Sequence, residues 1–284
     1  MITFFTIPRP FTNLHQTIQS NAILSWKKIY PRCEILVFSD HSTIAEFCKK
    51  NKIEFIENFK CNSYGTPLLS DIWSIVKKRS SSDLICYINT DIILFSNFLD
   101  RVKSVNFNEF LLAGRRWDLN ITDHIDFNSN WEPQLKKLIN EKGVLHAKTG
   151  VDYFLFPKNN MPEMPPFAIG RAWWDNWLLT YFLNKKIPLI DGTSITTVHQ
   201  NHDYNHIKST NNKTTNKGIE RNQNEAIANL KNWQIKDISD CTHILNKDEI
   251  FHVPIKRKIY RTFNRYLFGF LSFIKKKIKV LIRF

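Results

Sequence analysis

Up to residue 95 the chain alternates between short apolar runs and stretches in which apolar positions recur every three or four residues. Ile2–Ile7 is an apolar run closed by Pro8 and Pro10, which predicts a strand. Asn13 with Gln16 has the pattern of an N-terminal cap pair. Leu14, Ile18, Ala22, Ile23, Trp26 and Ile29 then step at helical spacing until Pro31 stops them. A strand is predicted at Glu34–Phe38, followed by Ser39-Asp40, then a helix at Thr43–Lys50 and a strand at Ile53–Ile56. Leu69–Arg79 reads as a helix, residues 80–83 (SSSD) as a loop, and Leu84–Ile88 as a strand apolar on both faces. This succession predicts a parallel α/β sheet with crossover helices on its faces.

Beyond residue 95 the pattern is more mixed. It predicts a helix from Ser96, a strand at Phe110–Ala113, a loop rich in Trp and Asp, and a helix around Glu132–Glu141. A strand at Tyr153–Phe156, a Pro-rich turn, a helix at Ala172–Asn184 and strands at Ile187–Ile190 and Ile195–Val198 follow. Residues 205–224 are polar, Asn-rich and nearly free of large apolar groups, so a mobile loop is predicted there. No internal repeat is visible.

Composition changes this picture mainly at the C-terminal end. The 284 residues include 22 Phe, 8 Trp and 8 Tyr, enough for one large core plus appendages. Five cysteines (33, 48, 61, 86, 241) stand singly with no CxxC pair, which argues for reduced thiols in a cytosolic setting and against thiolate-bound zinc. The start, MITFFTIPRP, lacks the basic, apolar and cleavage regions of a signal peptide. Tyr266–Ile274 falls far short of the roughly 18 residues that span a bilayer. Of the net charge of +14, ten Lys/Arg and no acid lie in residues 255–284. The remainder is only mildly basic, so the pI does not point to nucleic acid. In that tail Ile259, Phe263, Leu267, Phe270, Ile274, Ile278 and Leu281 step by three or four, with Arg261, Arg265, Lys276, Lys279 and Arg283 on another stripe. A basic amphipathic helix of about 45 Å is predicted, suited to an anionic membrane surface. A packed helix and a partner-binding helix are its rivals. The division is therefore residues 1–254 as the globular domain and 255–284 as the tail.

Two stretches carry candidate chemistry. Asn89-Thr90-Asp91 follows the strand LICYI directly, and ligands of open α/β sheets bind beyond the carboxyl ends of strands. If the segment stays extended, Asn89 and Asp91 point the same way and Thr90 points away. An amide and a carboxylate oxygen on one edge suit a hard divalent cation such as Mg2+ or Mn2+. On the tripeptide alone, a turn that simply closes the strand is the favoured reading. The second stretch, HQNHDYNH, places His199, His202 and His206 within eight residues. It fits a metal site, an acid/base cluster or a polar turn.

TIPRPF, VFSD, YINTDIIL, AGRRWDLNI, GVDYFLFPK, PPFAIGRAWWDNWLL and DGTSITTVHQNHDYNH occur in order over roughly residues 1–245. In these stretches the sequence resembles the nucleotide-sugar-dependent glycosyltransferases of the GT-A fold, in particular a group of predicted bacterial and plant members. The resemblance implies a GT-A-like (Rossmann-like) mixed, mainly parallel sheet flanked by helices. It implies a nucleotide-diphosphate sugar as donor, a saccharide or lipid-linked acceptor, and Mn2+ or Mg2+ as cofactor. The usual acidic motif of the family is Asp-x-Asp, whereas this chain has Asn89-x-Asp91. Asp91 is then the strong ligand of the motif, and His199 and His202 are candidates to complete its metal shell, with Asp203 orienting a ligand or meeting sugar hydroxyls. Thr6, Pro8, Arg9 and Asp40 would line the nucleotide side, and Arg115 and Arg116 would share the diphosphate charge. Asp175 is the implied base for the acceptor hydroxyl, with Asp152 second, and Trp174 and Asn176 lie on the acceptor side.

The function so implied is sugar transfer in surface-polysaccharide or glycolipid assembly, at the cytoplasmic face of a membrane. Two other functions compete. A nucleotidyltransferase shares the sheet and the divalent-ion chemistry, but its usual Gly-rich loop after the first strand is absent from TIPRPF. A non-catalytic membrane-bound scaffold is kept open by Asn89.

Overall fold

A computed structural model describes residues 1–202, 216–231, 235–247, 249–254, 256, 259–261 and 263. In chain order the elements are β1 (Ile2–Thr6), α1 (Leu14–Ile29), β2 (Glu34–Phe38), α2 (Ser42–Asn51), β3 (Glu54–Ile56), α3 (Leu69–Arg79) and β4 (Leu84–Ile88). Then come β5 (Ile92–Leu94), α4 (Asn97–Lys103), β6 (Leu111–Ala113), β7 (Trp117–Leu119), α5 (Trp131–Lys142), β8 (Val144–Leu145) and β9 (Tyr153–Pro157). The last are α6 (Trp174–Asn184), β10 (Leu189–Asp191), β11 (Thr197–Gln200), α7 (Asn216–Ala228), β12 (His243–Asn246) and β13 (Glu249–His252).

The larger sheet has the order β13-β12-β10-β6-β9-β4-β1-β2-β3. Its pairings are parallel except where β9 enters antiparallel between β4 and β6, and where β13 runs against β12. Mixed, mainly parallel pairing is therefore the observed architecture. Strand periodicity divides the core: Phe5, Ile85 and Tyr87 join one buried layer with α3 and α6, while Phe4, Cys86 and Ile88 join the layer under α1 and α2. Both faces are covered, which is why these strands read as nearly continuous apolar runs.

A second sheet, β5-β11-β7-β8, is the part that the sequence pattern did not predict as a unit. Its strands are two to four residues long and break off before any alternation can register. α1 covers the outer edge of β5: the Trp26 indole donates to the Ile92 carbonyl (2.8 Å) and the Ser25 hydroxyl accepts from Leu94 N–H (3.1 Å). Those bonds satisfy an edge that would otherwise stand unpaired.

Several expectations need correction. Asn13 precedes α1 but its side chain caps nothing; it sits at φ 45°, and only its carbonyl accepts, from Gln16 N–H. Residues 216–224 of the expected mobile loop belong to α7, because Gly218, Glu220 and Asn224 bury one face of that polar segment. Residues 205–215 lie outside the described residues, as does most of the tail expected to be helical. At the start of that tail, Ile259, Tyr260 and Phe263 are 63–66% exposed. Among the described residues no helix is long and apolar enough to cross a membrane. None of the five cysteines, all among the described residues, is in a disulfide, and burial pushes the Cys33 and Cys48 thiols up to about 12.

Trp26 is fully buried against Phe4 and anchors β5. Trp26→Ala is expected to lower the unfolding free energy by about 3–5 kcal/mol in a urea titration. A loss below about 1 kcal/mol would mean that β5 is held by something else.

Candidate active site

A cavity of about 840 Å³ opens at one edge of the larger sheet, within the size range of small-molecule sites. Its wall is built from segments just past the carboxyl ends of three parallel strands: Ile7 to Pro10 after β1, Ser39 to His41 after β2, and Asn89 to Asp91 after β4. Because β9 runs the other way, its leading flank, Val151 and Asp152, reaches the same edge. Residues 169–172 and the start of α6 close the far side.

Asp91, His199 and His202 converge in this region. Asp91 Oδ2 lies 3.2 Å from His202 Nε2 and 3.5 Å from His199 Nε2, and one potential ligand atom from each residue lies within 4.8 Å of the others. The second-sheet register explains the meeting. On β11, His199 pairs with Ile92 of β5 on one side and with Asp118 of β7 on the other. Gln200 locks the arrangement, since its backbone and side-chain amides both donate to the Asp91 carbonyl (3.1 and 3.3 Å). Burial alone would raise the Asp91 carboxyl, but the hydrogen bonds and charges of His199 and His202 outweigh it and hold it well below the usual carboxylate range.

The donor set fits a divalent ion. Asp91 Oδ1 is buried with no hydrogen-bond partner, an orphan acceptor of the kind a cation satisfies. Asp118 Oδ1 lies 3.2 Å from His199 Nδ1 and, as a carboxylate, can only accept. With an ion bound, that contact would keep the His199 proton on Nδ1 and free the Nε2 lone pair for the metal. Two imidazoles with one carboxylate suit Mn2+ better than Mg2+, which favours an all-oxygen shell.

Asp118 heads a second network. It meets His146 Nδ1 at 2.5 Å and accepts from Arg116 Nε at 3.1 Å. Burial raises its carboxyl, and these two partners more than offset that and lower it. Arg116 also pairs with Asp152, which accepts from the Asn89 amide (2.6 Å); the Asn89 oxygen in turn accepts from the Tyr87 hydroxyl (2.8 Å). Asn89 and Asp91 therefore serve different partners instead of sharing one ion. The chain turns after β4, where Ile92 N–H closes on the Asn89 carbonyl, so the extended geometry expected of the tripeptide does not hold.

Asp175 stands in the first turn of α6 and lines the cavity. Burial raises its carboxyl above the usual range, and backbone N–H groups of Asn176 and Asp175 only partly offset this. The turn leading to it is strained: Gly170, Ala172 and Trp173 have φ of 70°, 61° and 75°. Burial raises the Tyr87 hydroxyl first, and the charges of Asp91 and Asp175 add to it, so both carboxylates act on this one side chain.

Of the residues singled out in the sequence, Pro8, Arg9, Asp40, Asn89, Asp91, Asp152, Trp174, Asp175 and His202 line the cavity. His199 sits directly behind it, 2% exposed. Others do not. Thr6 is fully buried in the sheet, and Ile7 takes its place in the wall. Arg115 is claimed by the carbonyls of His146 (2.6 Å) and Leu145 (3.4 Å), and Arg116 by its two carboxylates, so neither is in the cavity wall. Asn176 donates to the Lys236 carbonyl (2.9 Å) and is absent from the wall. Trp174 packs edge-on against Trp73, Tyr87 and Phe154 and is 7% exposed, so it is chiefly a core residue. Asp203 lies outside the described residues. Missed altogether were Asp118, His146, His15, Arg171 and Arg221. Asp118 stood in a quoted motif, but no local signal tied it to His199.

No protein-family model matches the sequence, and no curated protein does. Among solved structures the chain is similar to S. aureus TarS 1–349 in complex with UDP-GlcNAc, at 14% identity over 74% of this chain and 61% of that one, TM-score 0.47. It is similar to the mannosyltransferase PcManGT from Pyrobaculum calidifontis in complex with GDP-Man and Mn2+, at 9% identity over 80% and 62%, TM-score 0.49. A third is the 4-diphosphocytidyl-2C-methyl-D-erythritolsynthase from Anaerococcus prevotii, at 10% identity over 66% and 86%, TM-score 0.40. This chain thus spans about three fifths of the first two proteins.

Manganese titration by calorimetry or EPR tests the metal centre. Loss of an outer partner, Asp118→Asn, is expected to weaken Mn2+ binding about 10–100-fold, and Asp91→Ala and His202→Ala by more. Unchanged affinity in Asp91→Ala would eliminate the site.

Proposed function

We propose that the chain is a nucleotide-sugar-dependent glycosyltransferase of GT-A-like architecture, moving a sugar from a nucleotide-diphosphate donor to a saccharide or lipid-linked acceptor. The observation that carries this reading is one cavity lined by Asp91 and His202, with His199 behind them completing a divalent-ion donor set, and, separately, by a half-buried carboxyl with a raised affinity for protons (Asp175). The sequence motifs resembling that family supply most of the same wall.

The roles follow from the chemistry of each group. Asp91, His199 and His202 hold the ion, which when bound stabilises the charge of a diphosphate leaving group. Arg9 and Arg221 add positive charge to the wall, and Gln19 fixes the Arg9 backbone through paired hydrogen bonds of 2.7 and 2.9 Å. Asp40, exposed at the end of β2, is the group for ribose or base hydroxyls and amides. Asp175 accepts the proton of the acceptor hydroxyl as that oxygen attacks the sugar. Asp152 is the poorer base, because Arg116 and Asn89 already occupy its oxygens.

We also infer that the protein works at the cytoplasmic face of an anionic membrane during surface-polysaccharide or glycolipid assembly. Ten basic residues without an acid in residues 255–284, and the exposed Phe251, Ile259, Tyr260 and Phe263, support it.

A panel of nucleotide sugars with Mn2+, read by thermal shift and donor turnover, tests the activity. At least one donor should raise the melting temperature, and Asp175→Asn should lower turnover about 10²–10⁴-fold while donor binding persists. No stabilisation by any donor would sink the reading. The pH profile has a definite sign. A base must be deprotonated, and burial raises Asp175, so activity should fall with falling pH through a midpoint above about 4, the ordinary carboxylate value. Co-sedimentation with phosphatidylserine vesicles tests the address: the full chain should pellet and a 1–254 truncation should not, and equal partitioning removes the membrane claim.

A further inference from the structure

The helix α7 carries a buried polar face that the chemistry above leaves unused. Glu220 is 1% exposed and accepts from the Asn62 amide (2.8 Å) and from Arg171 Nε (2.7 Å); Arg171 also donates to Thr66 Oγ1 (3.2 Å). One turn further on, Asn224 is likewise 1% exposed. Its oxygen accepts from Ala168 N–H (2.9 Å), and its amide donates to the carbonyls of Ala168 (2.9 Å) and Ala172 (3.0 Å).

Both residues grip cavity wall. Segment 167–169 lies along 67–69, joined by Leu69 N–H to the Phe167 carbonyl (2.9 Å) and Ile169 N–H to the Pro67 carbonyl (3.1 Å). From Ala168 the chain enters the left-handed turn at Gly170, Ala172 and Trp173, and two residues later reaches Asp175. Left-handed backbone at Ala and Trp persists only where the surroundings over-determine it. Asn224, bonded to Ala168 ahead of the turn and to the Ala172 carbonyl within it, contributes that constraint.

We propose that Asn224 and Glu220 are positioning residues, which from the buried face of α7 hold the strained turn that sets Asp175 in the cavity. The proposal rests on Asp175 being the base. It differs from a merely structural role because it predicts damage to turnover without damage to donor binding.

Hydrogen–deuterium exchange on the full chain, with peptides of α1 as internal reference, reads the turn directly and needs no substrate. Asn224→Ala should speed exchange over residues 167–176 about tenfold with α1 unchanged. Glu220→Ala should do the same, while Glu220→Gln, which keeps an oxygen for Arg171 and Asn62, should stay near wild type. That pair decides the matter if Asn224→Ala fails to fold. In turnover, both Ala variants should lose about 10–100-fold in kcat with the KM for donor within about threefold. Exchange that rises equally in α1, or local loosening with wild-type kcat, overturns the proposal. A wild-type chain that exchanges slowly in the turn but turns over no nucleotide sugar defeats the glycosyltransferase reading instead.

Discussion

The register of β11 between β5 and β7 is the constraint from which the site follows. In that register His199 has Ile92 on one flank and Asp118 on the other, so a carboxylate over a hundred residues away in sequence, Asp91, comes within 3.5 Å. Side chains in a strand alternate, so a slip of one residue would swap the buried His199 for Gln200 and dismantle both contacts. Gln200 resists the slip with a fully buried amide bonded to the Asp91 and Ile18 carbonyls and to Asn21. α1 fixes the other member of the pair by holding β5 through Ser25 and Trp26. A helix remote in function thus sets a distance at the site.

Electrostatics decides what the geometry is worth. Taking Asp91 out of water favours its neutral form, yet two imidazoles at hydrogen-bond range win, and the group stays a carboxylate. One oxygen remains unpaired, a cost on the order of 1–3 kcal/mol that a bound cation would offset. The remaining charges are chained: His146 and Arg116 on Asp118, Arg116 on Asp152, Asn89 on Asp152, Tyr87 on Asn89. Removing one member strands its neighbour, so single substitutions along this chain should not add.

Much of the fold was legible because burial on both faces writes long apolar runs. Glu34–Phe38, Leu69–Arg79 and Leu84–Ile88 were read to the residue, and the parallel pairing of the first strands followed. The antiparallel entry of β9 was not legible, since a five-residue apolar strand looks the same in either direction. Nor was the second sheet, whose strands are too short for periodicity. In the site, it was the family resemblance that joined Asp91 to the two histidines, and the structure brings these three together. Arg115 and Arg116 were misread because a basic pair in a loop says nothing of the carbonyls and carboxylates that capture it. α7 was misread for a related reason: Glu220 and Asn224 look like solvated polar residues until the side chains that Glu220 satisfies and the backbone groups that Asn224 satisfies are seen.

Two carboxyls, Asp152 and Asp175, line the one cavity in unlike surroundings. Asp152 is compensated: Arg116 and Asn89 approach its separate oxygens, so accepting a proton would mean breaking an ion pair in a dry setting. Asp175 has no ion pair among the described residues and receives only backbone N–H groups, so burial wins and its proton affinity rises. In the proposed function, two like groups in unlike surroundings would divide acid/base labour from structural labour. The strain at Ala172 and Trp173 makes sense in the same terms, because relaxing that turn would shift the start of α6 and with it the carboxyl that burial has made basic. Backbone that costs energy at that point is what keeps Asp175 in the cavity wall.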